Sequence, residues 1–347
     1  SGLQNLRYTY DANSDITKIT NGRHSNVTQT YGYDNSSRLN SEYSSKHGTY
    51  SYQYDKAGNR TKKLRGSTTL QTLFYESSSN QLDYMKNQSN AITQFSYNNN
   101  GHTTAKGSEL FDYNSENRLV KFVKSSQTTH FTYNAFGQRV KKSGPYGIKH
   151  FMYSEPGSLI AEHNASGSIL KEYIYLYGQV IGVVKGSTLY YVHNDHLGRA
   201  EKITNQSKEV VWQAHNFAFE RDVVKNTIGD YNLNFPGQYY DKETDKYYNY
   251  FRDYDAETGR YIQSDPIGLE GGLNTFSYVN SNPLSYIDPL GLYGTPQKCI
   301  HPQNWAACMA AGMKRTPTFR NFKYHVNKHG GGKARQYFNQ ALKNIGQ

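Results

Sequence analysis

The sequence comprises 347 residues with a formal net charge of +11, and only 35% of it is hydrophobic, against roughly 45–50% in an average globular domain. Much of that apolar content is tyrosine, 33 residues, which excludes a disordered chain and argues for broad, half-wetted sheets over a compact aliphatic core. No run of about 18 apolar residues exists, which excludes a membrane-spanning helix, and the opening lacks the basic and apolar regions of a signal peptide. The chain begins in mid-pattern, as a fragment or a processed chain does.

In chain order the first predicted elements are hairpins. An aromatic-x-aromatic-polar phrase recurs at Tyr8-Thr9-Tyr10-Asp11, Tyr31-Gly32-Tyr33-Asp34, Tyr52-Gln53-Tyr54-Asp55, Phe95-Ser96-Tyr97-Asn98, Phe111-Asp112-Tyr113-Asn114, Phe131-Thr132-Tyr133-Asn134 and Phe151-Met152-Tyr153-Ser154. Side chains alternate along a strand, so both rings of each phrase face one side. Asp or Asn then opens a turn, a glycine supplies positive φ, and a basic strand returns, as in Asp55-Lys56-Ala57-Gly58-Asn59-Arg60. A hairpin of this length cannot bury its face alone, so the repeats stack side by side into one long sheet. No long amphipathic helix is predicted before residue 293.

Two further phrases follow, Tyr190-Tyr191-Val192-His193-Asn194-Asp195-His196-Leu197-Gly198 and the stretch from Phe235 to Leu269. Together with the repeats they resemble the RHS/YD-repeat family over essentially 1–292, most strongly at 190–292. Asp245 stands where that family usually has Gly, and Asp253 where it often has Tyr. The resemblance implies a mainly β fold: a spiral sheet of YD-repeat hairpins forming part of a hollow shell around a C-terminal toxic segment. It implies a YD-repeat shell over 1–234, an RHS-associated core over 235–292 that plugs the shell and cleaves itself, and a short variable tail over 293–347. This chain supplies only part of such a wall, so an upstream portion or a second chain completes it. His193 and His196 read as packed turn residues.

Asp265-Pro266-Ile267-Gly268-Leu269 is written again as Asp288-Pro289-Leu290-Gly291-Leu292. As local chemistry each is a turn: Asp caps, Pro fixes φ, Gly takes the left-handed position. Two carboxylates brought together in a sequestered site share a proton, which suits one to act as acid and the other as base. The resemblance implies that Asp265 and Asp288 form an autoproteolytic dyad of aspartic-protease type that cuts Leu292–Tyr293. Arg252 and Arg260 could orient a carboxylate or stabilise an oxyanion, or could form salt bridges with Asp253, Asp255 or Glu257.

The predicted cut falls where composition changes. Residues 293–347 contain nine Lys or Arg and no Asp or Glu, while 1–292 contain 30 basic and 28 acidic residues. An acid-free segment suits an anionic partner, nucleic acid or a membrane surface, or is a solvated tail. Short helices are predicted at 304–311 and 333–345, giving a small, mostly α tail. Cys299 and Cys308 form one disulfide or remain two thiols; with His301 they fall short of a paired metal-ligand cluster. Between the helices, His325 and His329 beside Lys323 and Lys328 carry the acid, base and charge that a metal-free ribonuclease needs; the alternative is a basic face that only binds. No cofactor or metal is implied. The resemblance adds a secreted bacterial toxin, a delivery system whose targeting segment lies upstream, and a cognate immunity protein as partner. The competing reading is a structural or adhesive YD-repeat surface protein without a toxin, or a membrane-active cargo.

Overall fold

The computed structural model describes residues 4–22, 28–154 and 157–296. The chain divides into two units, Ser1–Gly294 and Thr295–Gln347, and the fold below is that of the first.

The aromatic phrases form strands, among them Gly48–Tyr54, Glu109–Tyr113 and Gln127–Tyr133. The turn after each is built by the polar residue that follows. Asp34 Oδ1 accepts the amides of Ser36 and Arg38 at 2.9 and 3.1 Å, and Asn134 Oδ1 accepts those of Phe136 and Gln138, both at 3.0 Å. Such side-chain turns reverse the chain tightly enough for the return strand to pair at once. Repetition yields 22 antiparallel strands, Leu6–Tyr10 through Arg221–Asn226, each paired with its neighbour in sequence.

The first aromatic of most phrases is buried, as with Tyr52, Phe111 and Phe131, while Tyr8 and Phe95 are half-buried. The second places its hydroxyl on the start of the preceding return strand. Tyr33 donates to Ile16 O, Tyr54 to Leu39 O, Tyr75 to Arg60 O, Tyr97 to Leu82 O, Tyr113 to Thr103 O, Tyr133 to Leu119 O, Tyr153 to Arg139 O and Tyr175 to Leu159 O, at 2.7 to 3.1 Å. This explains the tyrosine content: the ring fills the inner face and the hydroxyl ties adjacent hairpins together. In the last repeats asparagine takes over, Asn194 Nδ2 donating to Val180 O at 2.8 Å and Asn216 Nδ2 to Ala200 O at 3.2 Å. Two units escape the sequence pattern. Leu73 replaces the first aromatic before Tyr75, and Leu176 replaces the polar residue after Tyr173 and Tyr175.

A second, four-stranded sheet, Tyr239–Asp241, Lys246–Asn249, Arg252–Asp255 and Arg260–Tyr261, lies against the large one. Its middle strands are wholly buried. Charges of opposite sign pin it to the wall: Arg139 to Asp241, Lys142 to Asp241 and Glu243 at 2.9 and 2.7 Å, Lys246 to Glu109 at 2.9 Å, and Lys106 to Asp255 at 2.7 Å. Buried charges tolerate desolvation only in such pairs, so these contacts fix the register of the small sheet on the large one. Asp245 adopts φ 55° in the first hairpin of this sheet. A left-handed turn residue is needed there, and Asp is among the few non-glycines that accept it. The early strands also meet the late ones: Ala218 N donates to Glu42 Oε2 at 2.9 Å, and the Tyr52 and Phe219 rings are 5.1 Å apart.

The architecture is therefore the mainly β repeat sheet expected. The expected helices at 304–311 and 333–345, together with Cys299, His301, Cys308, Lys323, His325, Lys328 and His329, lie outside the described residues. Among the described residues no helix is long and apolar enough to cross a membrane.

Candidate self-cleavage site

Both Asp-Pro-x-Gly phrases fold as turns. Gly268 N donates to Asp265 O at 2.9 Å with Gly268 at φ 60°, and Gly291 N donates to Asp288 O at 3.4 Å with Gly291 at φ 68°. A Cβ on Gly291 would lie 2.5 Å from Asn249 O, so only glycine fits the second turn against the small sheet. The turns and the strand Arg252–Asp255 bring the two aspartates to one buried guanidinium. Arg252 Nη2 lies 2.9 Å from Asp265 Oδ2 and 3.3 Å from Asp288 Oδ2. The same arginine donates from Nε to Gly291 O at 2.6 Å and from Nη1 to Thr275 O at 3.1 Å, with its charge 3.7 Å from the centre of the Tyr261 ring.

The chain then turns back onto its own carboxylate. Asp288 Oδ1 accepts the amides of Leu292 at 2.9 Å and Tyr293 at 3.3 Å. A Cβ at Gly271 would lie 2.3 Å from Asp265 Oδ2 and 2.9 Å from Leu292 O, so these two oxygens flank a space that a side chain there would fill. One aspartate thus faces the amide nitrogen of Leu292–Tyr293, and the other shares a space with its carbonyl oxygen. Asp288 is further held by Tyr261, whose hydroxyl donates to Oδ2 at 2.8 Å and accepts from Asn249 Nδ2 at 2.7 Å. Asp265 Oδ1 accepts the Ile267 amide at 3.0 Å.

Burial raises the Asp265 carboxyl to about 6 against the opposing pull of Arg252. Burial raises Asp288 as well, opposed by Arg252, the Leu292 amide and the Tyr261 hydroxyl. Two adjacent carboxyls shifted this way can hold one proton between them near neutral pH.

Of the two arginines considered from sequence, Arg252 reaches both carboxylates and Arg260 reaches neither. Arg260 donates to Asn80 O at 2.5 Å and lies 4.5 Å from the Phe276 ring centre, joining the small sheet to the large one because it sits on the far side of the Arg260–Tyr261 strand from Tyr261. His196 hydrogen-bonds Leu284 O at 3.0 Å and His193 the Thr204 hydroxyl at 3.0 Å, both as packed residues. Tyr261, Asn249 and Gly271 were not singled out in the sequence. Their part depends on how the hairpin 246–255 packs on the second turn, and no local spacing encodes that.

The Teneurin YD-shell family matches residues 3–282. The chain belongs to the Teneurin YD-shell family. Among similar proteins, double-stranded DNA deaminase toxin A of Burkholderia cenocepacia (strain H111) is 29% identical over 292 residues, 81% of this chain and 19% of its own length. Toxin protein Tse5 of Pseudomonas aeruginosa is 32% identical over 114 residues, 33% of this chain and 9% of its own. The tRNA3(Ser)-specific nuclease WapA of Bacillus spizizenii is 26% identical over 256 residues, covering 69% of this chain and 11% of its own. A Photorhabdus luminescens Tc holotoxin pore with a mutated TccC3 has the same fold, with a TM-score of 0.67 at 17% identity over 84% of this chain and 17% of its own. The chain spans 19% or less of each of these relatives.

Proposed function

We propose that this YD-shell chain cuts its own Leu292–Tyr293 bond with the Asp265–Asp288 pair, freeing residues 293–347 as the cargo of a toxin. The observation that carries the reading is that Asp288 Oδ1 holds the Tyr293 amide while Asp265 Oδ2 shares the space at Gly271 with Leu292 O. A water adding to the Leu292 carbonyl carbon gives a proton to the pair, and the pair returns one to the Tyr293 nitrogen as the bond breaks. Arg252 keeps the two carboxyls at one place by contacting both. Sequestered water, paired carboxyls and a fixed amide are the parts that aspartic-protease chemistry uses.

The relatives named as a deaminase toxin, a toxin protein and a nuclease support a toxic role for the complete protein. In that role the wall over 1–234 and the core over 235–292 enclose the tail, an upstream portion or second chain completes the enclosure, and a bacterial secretion system delivers it. The basic composition of 293–347 favours nucleic acid as target, with His325 and His329 as acid and base and Lys323 and Lys328 on the phosphate. A cognate immunity protein would protect the producing cell.

Purified Asp265→Asn and Asp288→Asn chains compared with wild type on a denaturing gel test the cleavage. Wild type releases a fragment of the size of 293–347 and both variants stay intact; release by either variant removes that aspartate from the chemistry. Expressing 293–347 alone in bacteria and incubating it with RNA tests the cargo, with growth arrest and RNA loss expected and neither seen if the tail is inert.

A further inference from the structure

The two aspartates are not equivalent, and the difference lies in their hydrogen-bond partners. Asp288 faces donors. Its Oδ2 receives the Tyr261 hydroxyl at 2.8 Å and Arg252 Nη2 at 3.3 Å, and its Oδ1 receives the Leu292 and Tyr293 amides. The direction of the Tyr261 bond is set by Asn249. The Asn249 Nδ2 amide can only donate, and it gives one hydrogen to the Tyr261 oxygen at 2.7 Å and the other to Asp288 O at 2.9 Å. The Tyr261 hydrogen must then point at Asp288. Burial, reinforced by the neighbouring Asp288, also pushes the Tyr261 hydroxyl well above its usual range, so it stays a donor. A proton placed on Asp288 would confront donors on both oxygens. Among the described residues Asp265 receives the Ile267 amide on Oδ1 and Arg252 on Oδ2, and that Oδ2 shares the space at Gly271 with an acceptor, Leu292 O.

We infer that Tyr261, oriented by Asn249, is a positioning residue that keeps Asp288 ionised as the base and so leaves the shared proton on Asp265 as the acid. The inference rests on the self-cleavage reading above and divides its labour. Asp288 takes a proton from the attacking water while Asp265 gives its proton to the Leu292 carbonyl oxygen. In the collapse of the resulting diol the carbon–nitrogen bond breaks, Asp288 passes its proton to the Tyr293 nitrogen, and Asp265 recovers one from the diol hydroxyl. Water is consumed and both carboxyls end as they began. Asp288 is the group already within reach of the Tyr293 nitrogen, as this route requires. Among the described residues, the charged and titratable groups facing the pair are Arg252 from its strand, Tyr261 from the next, and the Tyr278 and Tyr293 phenols.

The test is the pH dependence of cleavage in Tyr261→Phe and Asn249→Ser. Full-length chain made in a short cell-free pulse is diluted into buffers from acid to alkaline, and release of the fragment is timed on gels. Wild type should give a bell, its acid limb reporting Asp288 and its alkaline limb Asp265. Tyr261→Phe should move the acid limb upward by about one pH unit, leave the alkaline limb in place, and slow cleavage at the optimum roughly tenfold. Asn249→Ser, which frees the hydroxyl to rotate, should move the same limb by less. A shifted alkaline limb, or a rate loss with neither limb moved, overturns the inference. If wild type itself releases no fragment, the self-cleavage reading fails first. Circular dichroism of both variants identifies a folding defect, and the limb is then read from whichever variant folds.

Discussion

At the scale of single residues, the chemistry depends on what is left out as well as what is present. Gly271 makes room for Asp265 Oδ2 and Leu292 O to meet. Gly271→Ala would push a methyl to 2.3 Å from that carboxyl oxygen, and displacements of this order cost about a hundredfold in rate. Fragment release timed on gels should show that loss, and wild-type kinetics in Gly271→Ala would mean that the two oxygens do not work together. The doubled Asp-Pro-x-Gly-Leu was visible in the sequence because turns are local and their residue types are diagnostic. Arg252 and Arg260 were indistinguishable there. Each lies close to several acidic residues in sequence, and only the packing of the small sheet sends one to the carboxylates and the other to the Asn80 carbonyl.

At the scale of the element, the tyrosine hydroxyls explain why a chain so poor in aliphatic residues forms an ordered sheet. Each bond from a phrase to the preceding return strand satisfies a carbonyl beside the inner face. Tyr133→Phe, which strands the Leu119 carbonyl, should lower stability by about 1 kcal/mol in urea unfolding followed by circular dichroism. An unchanged midpoint would show that water replaces the hydroxyl freely. The strand-turn-strand unit was legible because period-two aromatics and Asx turns are written within a few residues. The unit ending at Tyr75 was hidden because its buried position holds Leu73, which packs as an aromatic does but breaks the pattern. The Asn194 and Asn216 substitutes were hidden for the converse reason: an amide that reaches the same carbonyl shares no ring with tyrosine.

At the scale of the whole molecule, the large and small sheets are joined by buried charge, and this makes stability depend on pH. Burial raises Glu162, but Lys171, Lys149 and the Tyr173 and Tyr239 hydroxyls outweigh it and hold the carboxyl at about 2; Lys106 and Lys246 likewise hold Asp255 at about 2 against burial. Carboxyls depressed on folding stabilise above their unfolded values, roughly 4, and that contribution is lost as pH falls toward 2. Asp265 and Asp253 are raised to about 6, chiefly by burial, so their contribution is present at low pH and fades as pH rises from roughly 4 through 6. Thermal melts of the uncleaved Asp288→Asn chain should therefore peak near pH 4, and a melting temperature constant down to pH 2 would show that these ion pairs do not hold the small sheet to the large one. The repeat sheet was foreseeable at this scale because stacking follows from the unit; the ionic seams were not, since pairs such as Arg139–Asp241 and Lys106–Asp255 join residues 102 and 149 positions apart. Intact mass of the freshly purified wild-type chain tests the central claim most directly. Two species whose masses divide at Leu292–Tyr293 and sum to the whole chain plus one water are expected. A single species of full-length mass, or a division at any other bond, would contradict it.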